Sequence, residues 1–150
     1  MENYDSSKDT LEHIKNVNRI LGKMIMEIII RGQNHDSSKL RSPEKEIFDI
    51  MTPKLKGSTY GSEEYKTFLK EMKVALDNHY AINTHHPEHY TDGIDGMDLI
   101  DLIEMICDWK SASERHANGD INKSILLNKD RFGMSEQLVK IFQNTIKRLL

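Results

Sequence analysis

Imidazole and carboxylate groups recur in this sequence at spacings that suit a metal site. Seven histidines stand at positions 13, 35, 79, 85, 86, 89 and 116, four of them within eleven residues. Imidazole and carboxylate are the usual ligands of Zn, Fe and Mn, and a buried site draws several of them from separate segments. His35-Asp36 is the first pair to consider. By itself it says little, because 7 His and 12 Asp in 150 residues give about half a His-Asp dipeptide by chance. Its surroundings say more. His13 lies 22 residues upstream, His79 and His85-His86 follow in a later segment, and Asp108 comes after them. Read along the chain, the order is His, His-Asp, His, His, Asp.

That order, on a helical background, resembles the HD-domain superfamily of metal-dependent phosphohydrolases. His35-Asp36-Ser37-Ser38-Lys39 is similar to the His-Asp-x-Gly-Lys signature of the HD-GYP branch, with Ser38 where that branch has Gly. His85-His86-Pro87-Glu88 followed by Asp92-Gly93 is similar to the same branch's His-His-Glu and Asp-Gly stretch, without a Gly-Tyr-Pro after it. Asp108, Ala112 and Arg115 resemble the superfamily's last helix. The chain also resembles a group of small phage and bacterial proteins with the pattern His-Asp-x-Ser-Lys and Asn-x-His-His-Pro-Glu-His, a likeness that supplies no activity.

The resemblance implies one or two divalent transition-metal ions (Mn, Fe, Co or Zn, with Mg a further candidate) on His13, His35, Asp36, His79, His85, His86 and Asp108. Asp36 and Lys39 would be the catalytic residues, and Lys39 and Arg115 would contact a phosphate. The implied reaction is hydrolysis of a nucleotide or related small phosphoester, mono- or diester, by a metal-activated water. The same ligand order occurs in di-iron oxygenases of the superfamily, and a phage-type protein that sequesters a nucleotide without turnover is the non-enzymatic alternative. Asp101 competes with Asp108 one heptad away, and its expected role is to orient a ligand histidine from outside the ligand set. Asp9, four residues before His13, reads as an N-cap ahead of a further ligand. His89 and His116 read as surface residues. Cys107, the single cysteine, excludes an intrachain disulfide and reads as a packed thiol.

Helices must position these groups, because apolar residues recur at three- and four-residue steps almost throughout. Five or six are expected, in one compact all-α bundle of HD type covering residues 1–150. The first runs from about Asp9 to Arg31 and stops at Gly32. Ser42-Pro43 opens a second that ends before Pro53, leaving 52–61 as a loop. Ser62 caps a third, carrying Tyr65, Phe68, Met72, Ala75 and His79, which must stop by His86. Asp95 caps the helix that carries Asp101, Glu104 and Asp108, three carboxylates able to share a face. A weaker helix covers about Ile121 to Asn128, and Ser135 opens the last, with Leu138, Ile141, Phe142, Ile146 and Leu149. Met24, Met26, Met72, Met97 and Met105 read as core.

Composition excludes several roles. The 150 residues suit one domain, and 21 Lys+Arg against 24 Asp+Glu give a net charge of -3, which offers no basic field for general nucleic-acid binding. The longest apolar run, from Met24 to Ile30, contains Glu27 and falls short of the roughly 20 residues a membrane span needs. The acidic start lacks the features of a secretory signal, so the expectation is a cytoplasmic protein of a bacterial or phage-infected cell, with a small phosphate as its partner and homo-oligomerisation open.

Overall fold

Helical spacing becomes seven α-helices, with no strand among the described residues, 4–58, 62–115 and 119–150 of a computed structural model. The chain divides into two compact units, Met1–Asn34 and His35–Leu150. No helix among the described residues is long and apolar enough to cross a membrane.

The first unit is built on α1, Ser7–Asn34. Gly32 does not stop it. The helix runs two residues further, to where Asn34 Nδ2 donates to the Ile30 carbonyl at 2.9 Å and satisfies one of the last acceptors. Asp9 lies inside the first turn instead of capping it, a place where its charge suits the helix dipole, and it accepts a hydrogen bond from the Tyr4 hydroxyl.

In the second unit a short 3₁₀ turn, Ser37–Leu40, leads to α2, Glu44–Gly57. The expected stop before Pro53 is overridden. Met51 is buried, Leu55 is half-buried, and Lys54 lies 5.7 Å from the Phe68 ring, so packing on both sides of the proline carries the helix through it. The expected third helix is two, α3 at Glu63–Glu71 and α4 at Lys73–Ile82, broken at Met72 (φ -83°, ψ 1°). The break accompanies deep burial of Met72, Ala75 and His79, which follow at helical steps. Ser62 caps α3 as expected, its Oγ accepting from the Tyr65 amide at 3.1 Å.

A loop of two 3₁₀ turns, Pro87–His89 and Gly93–Gly96, precedes α5, Leu99–Glu114. The cap is Asp98, not Asp95, because Asp98 and Asp101 form a reciprocal capping box that satisfies two backbone amides. Helix α6 spans Ile121–Phe132 and ends at Gly133, whose φ of 65° an L side chain adopts reluctantly. Helix α7 spans Glu136–Leu149 behind the expected Ser135 cap. Met105 and Ile106 of α5, Ile121 and Ile125 of α6, and Val139, Phe142 and Ile146 of α7 form the core, with Met134 between α6 and α7. Trp109 stands edge-on to Phe142 beside it. Of the methionines expected inside, Met72 and Met105 are buried, Met24 and Met97 half-buried, and Met26 exposed.

Candidate metal centre

Local chain geometry turns Asp36 into the centre. It is the single non-glycine residue with positive φ among the described residues, at 55°, a conformation that Asp tolerates better than most side chains. Helix α4 supplies His79 from its buried face, and the loop after it supplies His85, which is 1% exposed, and His86. His35 precedes Asp36, and Asp108 comes from α5.

Outer carboxylates aim these rings. Glu44, fully buried in the first turn of α2, has Oε2 2.9 Å from His79 Nδ1; Ser38 Oγ donates to the same oxygen at 3.0 Å and Asn78 Nδ2 donates to Oε1 at 2.8 Å. Asn83 Nδ2 donates to Ser38 Oγ at 2.9 Å. Glu104 Oε1 stands 2.8 Å from His35 Nδ1 and 3.1 Å from His85 Nδ1. With their Nδ1 atoms so engaged, the rings turn Nε2 toward the aspartates. His79 Nε2 lies 3.3 Å from Asp36 Oδ1 and 2.9 Å from His86 Nε2, and His85 Nε2 lies 3.5 Å from Asp36 Oδ1. His35 Nε2 lies 3.6 Å from both Asp36 Oδ2 and Asp108 Oδ1.

Two of these atoms have an unsatisfied requirement. Asp36 Oδ1 and His85 Nε2 are buried and neither takes part in a hydrogen bond. A carboxylate oxygen can only accept, and a neutral imidazole that turns its one N–H at Nδ1 toward Glu104, 3.1 Å away, has only a lone pair at Nε2, so with His85 in that form two acceptors face each other with no proton between them. A cation resolves that arrangement. At metal–ligand distances of about 2.0–2.2 Å, neighbouring ligand atoms stand roughly 3.0–3.5 Å apart, and the observed separations fall close to this range. The atoms form two overlapping groups, Asp36 with His79, His85 and His86, and His35 with His85 and Asp108.

Electrostatics fit a cation as well. Burial, reinforced by neighbouring His85 and His79, pulls the His86 pKa down to about 3 and keeps the ring neutral, the form that binds metal. Burial acts to raise the Asp36 pKa, but His79, the charge of Lys39 and His35 outweigh it and hold the carboxyl well below its usual range. The Asp108 and Glu104 carboxylates push His35 up to about 10 against the effect of burial. Lys39 Nζ donates to Asp36 Oδ2 at 2.5 Å and lies 5.2 Å from the Phe48 ring.

A model of a family of unknown function, DUF5662, matches residues 2–148. The chain belongs to this family. No curated protein and no solved structure matches it. The centre of this DUF5662 chain lies wholly within the matched residues.

The structure gathers His35, Asp36, His79, His85, His86 and Asp108, with Lys39 beside them. Two other expected residues are in neither group of potential ligands. His13 is exposed on α1 and belongs to neither group of potential ligands. Arg115 is exposed at the C-cap of α5. Asp101 anchors the loop: besides completing the capping box, its carboxylate accepts from Thr84 Oγ1 at 2.7 Å and Tyr90 Oη at 2.5 Å, while Glu44 and Glu104 meet the ligand imidazoles. His89, expected at the surface, is half-buried because its Nδ1 donates to the Tyr80 carbonyl at 2.8 Å. Cys107, expected to be packed, is exposed. His116 lies outside the described residues.

Sequence reasoning missed Glu44 altogether, met Ser38 and Asn83 only as letters of the shared motifs, and placed Glu104 on the acidic face without a role. For Glu104 the signal available was its position four residues before Asp108, on the same face of α5.

Proposed function

We propose that residues 35–150 hold a divalent transition-metal ion on Asp36, His79, His85 and His86, with His35 and Asp108 as an adjoining group, and that this centre hydrolyses a phosphoester of a nucleotide or similar small phosphate. The observation that carries the reading is the facing pair of buried acceptors, Asp36 Oδ1 and His85 Nε2, which take part in no hydrogen bond. An ion bound there lowers the pKa of a coordinated water toward neutrality and polarises a phosphoryl oxygen.

The chain supplies the rest. Glu44 and Glu104 hold the imidazoles in place, and the half-buried His86 remains a neutral donor of its lone pair. Lys39 is partly exposed, with its ammonium on Asp36 and its position fixed over Phe48. It is placed to give a compact positive charge to a phosphate oxygen. Arg115 has no part in this reading.

Elemental analysis of purified protein, followed by assay of phosphate release from nucleoside mono-, di- and triphosphates and cyclic nucleotides in Zn, Mn, Co or Fe, tests it. The expected result is near-stoichiometric metal and turnover of at least one class, lost on chelation. Protein that holds metal but releases phosphate from none of them refutes the hydrolase. Oxygen consumption by the iron-loaded form would then identify an oxygenase, and tight nucleotide binding without turnover a sequestering protein.

A further inference from the structure

His35 and His85 reach the centre from different parts of the chain, one from the turn before Ser37 and one from the loop after α4. Their Nδ1 atoms nevertheless converge on a single atom, Glu104 Oε1, at 2.8 and 3.1 Å. An ionised carboxylate oxygen accepts and never donates, so each ring must present an N–H at Nδ1. A neutral imidazole has one such proton, and holding it on Nδ1 leaves Nε2 as a bare lone pair. At His85 the surroundings agree, since its buried Nε2 has no hydrogen-bond partner.

We propose that Glu104 is a positioning residue that fixes the Nδ1–H tautomer of His35 and His85 together, committing both Nε2 atoms to the metal centre. The proposal rests on the metal reading above. One oxygen has two lone pairs, enough for the two ring nitrogens that approach it at 2.8 and 3.1 Å. His85 belongs to both groups of potential ligands and His35 to one, so this single carboxylate ties the two groups to each other. Glu44, by comparison, governs His79 alone among the rings. Glu104 also stands one turn from Asp108 on α5, which makes its position and that of Asp108 interdependent. A glutamine keeps a carbonyl oxygen able to accept both bonds, whereas an alanine keeps none.

The test uses the full chain with 15N-labelled imidazoles, read by long-range 1H–15N NMR before and after zinc, together with zinc affinity by chelator competition. In the wild type, His85 should be the Nδ1–H tautomer already without metal, and His35 should join it once zinc is bound. Glu104→Ala should weaken zinc binding 10- to 100-fold and give His85 mixed tautomers, whereas Glu104→Gln should stay within about 10-fold of the wild type. A wild-type His85 carrying its proton on Nε2, an Ala variant with unchanged affinity, or a Gln variant as weak as Ala would each overturn the proposal. Should the Ala variant fail to fold, the wild-type tautomer and the Gln variant still decide. Wild-type protein that binds no zinc would defeat the metal reading instead, while the metal-free His85 tautomer would still test Glu104.

Discussion

Asp36 combines a left-handed backbone with a carboxylate that reaches His79, His85 and Lys39, and substitutions can separate the two properties. Asn tolerates the same φ as Asp but brings no charge, so Asp36→Asn should fold with unchanged helix content by circular dichroism. Its zinc affinity should nevertheless fall by more than the roughly 100-fold that loss of an outer partner costs. Glu44 presents the opposite case, a buried carboxylate whose removal strands donors from Ser38, Asn78 and the His79 ring. Glu44→Ala should cost about 3–5 kcal/mol of folding free energy in urea titration, as the loss of one member of a buried polar pair does. The metal-free protein should also have a two-sided pH profile. His86 resists protonation down to about 3 while the unfolded chain takes up the proton near 6.5, so stability falls as the pH drops from 6.5 into the carboxylate range. His35, raised to about 10, contributes stability that is complete below 6.5 and lost as the pH rises toward 10. Melting temperatures of chelator-treated protein should peak near pH 6.5, and His35→Gln should flatten the alkaline side. The ligand candidates were legible because clustered histidines are rare and chemically specific. Glu44 and Glu104 were not, since Glu44 lies 35 residues from His79 and Glu104 lies 69 from His35, and a solitary glutamate on a helix has many ordinary uses.

At the scale of elements, periodicity found the helices and misjudged their ends. The caps at Ser62 and Ser135 were readable because a hydroxyl facing an amide three residues on is a local interaction. Pro53 and Met72 misled in opposite directions. A proline was carried through a helix by packing around Met51, and an uninterrupted apolar pattern was broken so that Met72, Ala75 and His79 could be buried. Tertiary contacts decide such cases, and they are not written in the local sequence. The start of α5 went wrong because Asp95 and Asp98 are equally good caps; what selects Asp98 is its reciprocal pairing with Asp101, which also takes the hydroxyls of Thr84 and Tyr90. That selection depends on Gly96. A Cβ there would stand 2.7 Å from Tyr90 Cβ, too close for either backbone to remain in place. Gly96→Ala should therefore destabilise the protein by about 1–3 kcal/mol in urea unfolding and displace Tyr90 from Asp101, an effect like overpacking a core. A Cβ at Gly93 meets no neighbour but inherits a φ of 58°, so Gly93→Ala should cost about 1 kcal/mol through backbone strain alone.

For the molecule as a whole, an ion that binds the folded centre and not the unfolded chain must raise stability by mass action. At free metal 100 times the dissociation constant the gain is about 2.7 kcal/mol. For a unit of this size that corresponds to a rise in melting temperature of about 10 °C. Chelation should lower the transition by that amount and zinc should restore it, with Asp36→Asn insensitive to both. Hydrogen exchange then tells which part of the chain feels the ion. Slower exchange on zinc addition should be centred on residues 35–40, 79–86 and 104–108, where the ligands and their carboxylates lie. Residues 7–34 provide the counter-test, because the sequence resemblance enlists His13 whereas the geometry assembles the ligand atoms within His35–Leu150. Protection centred on the second unit, with His13→Ala binding zinc as the wild type does, is the outcome expected of a ligand set drawn from residues 35–108 alone. Protection that spreads into α1 and disappears in His13→Ala would enlarge the coordination set by one imidazole and restore the ligand order read from the sequence.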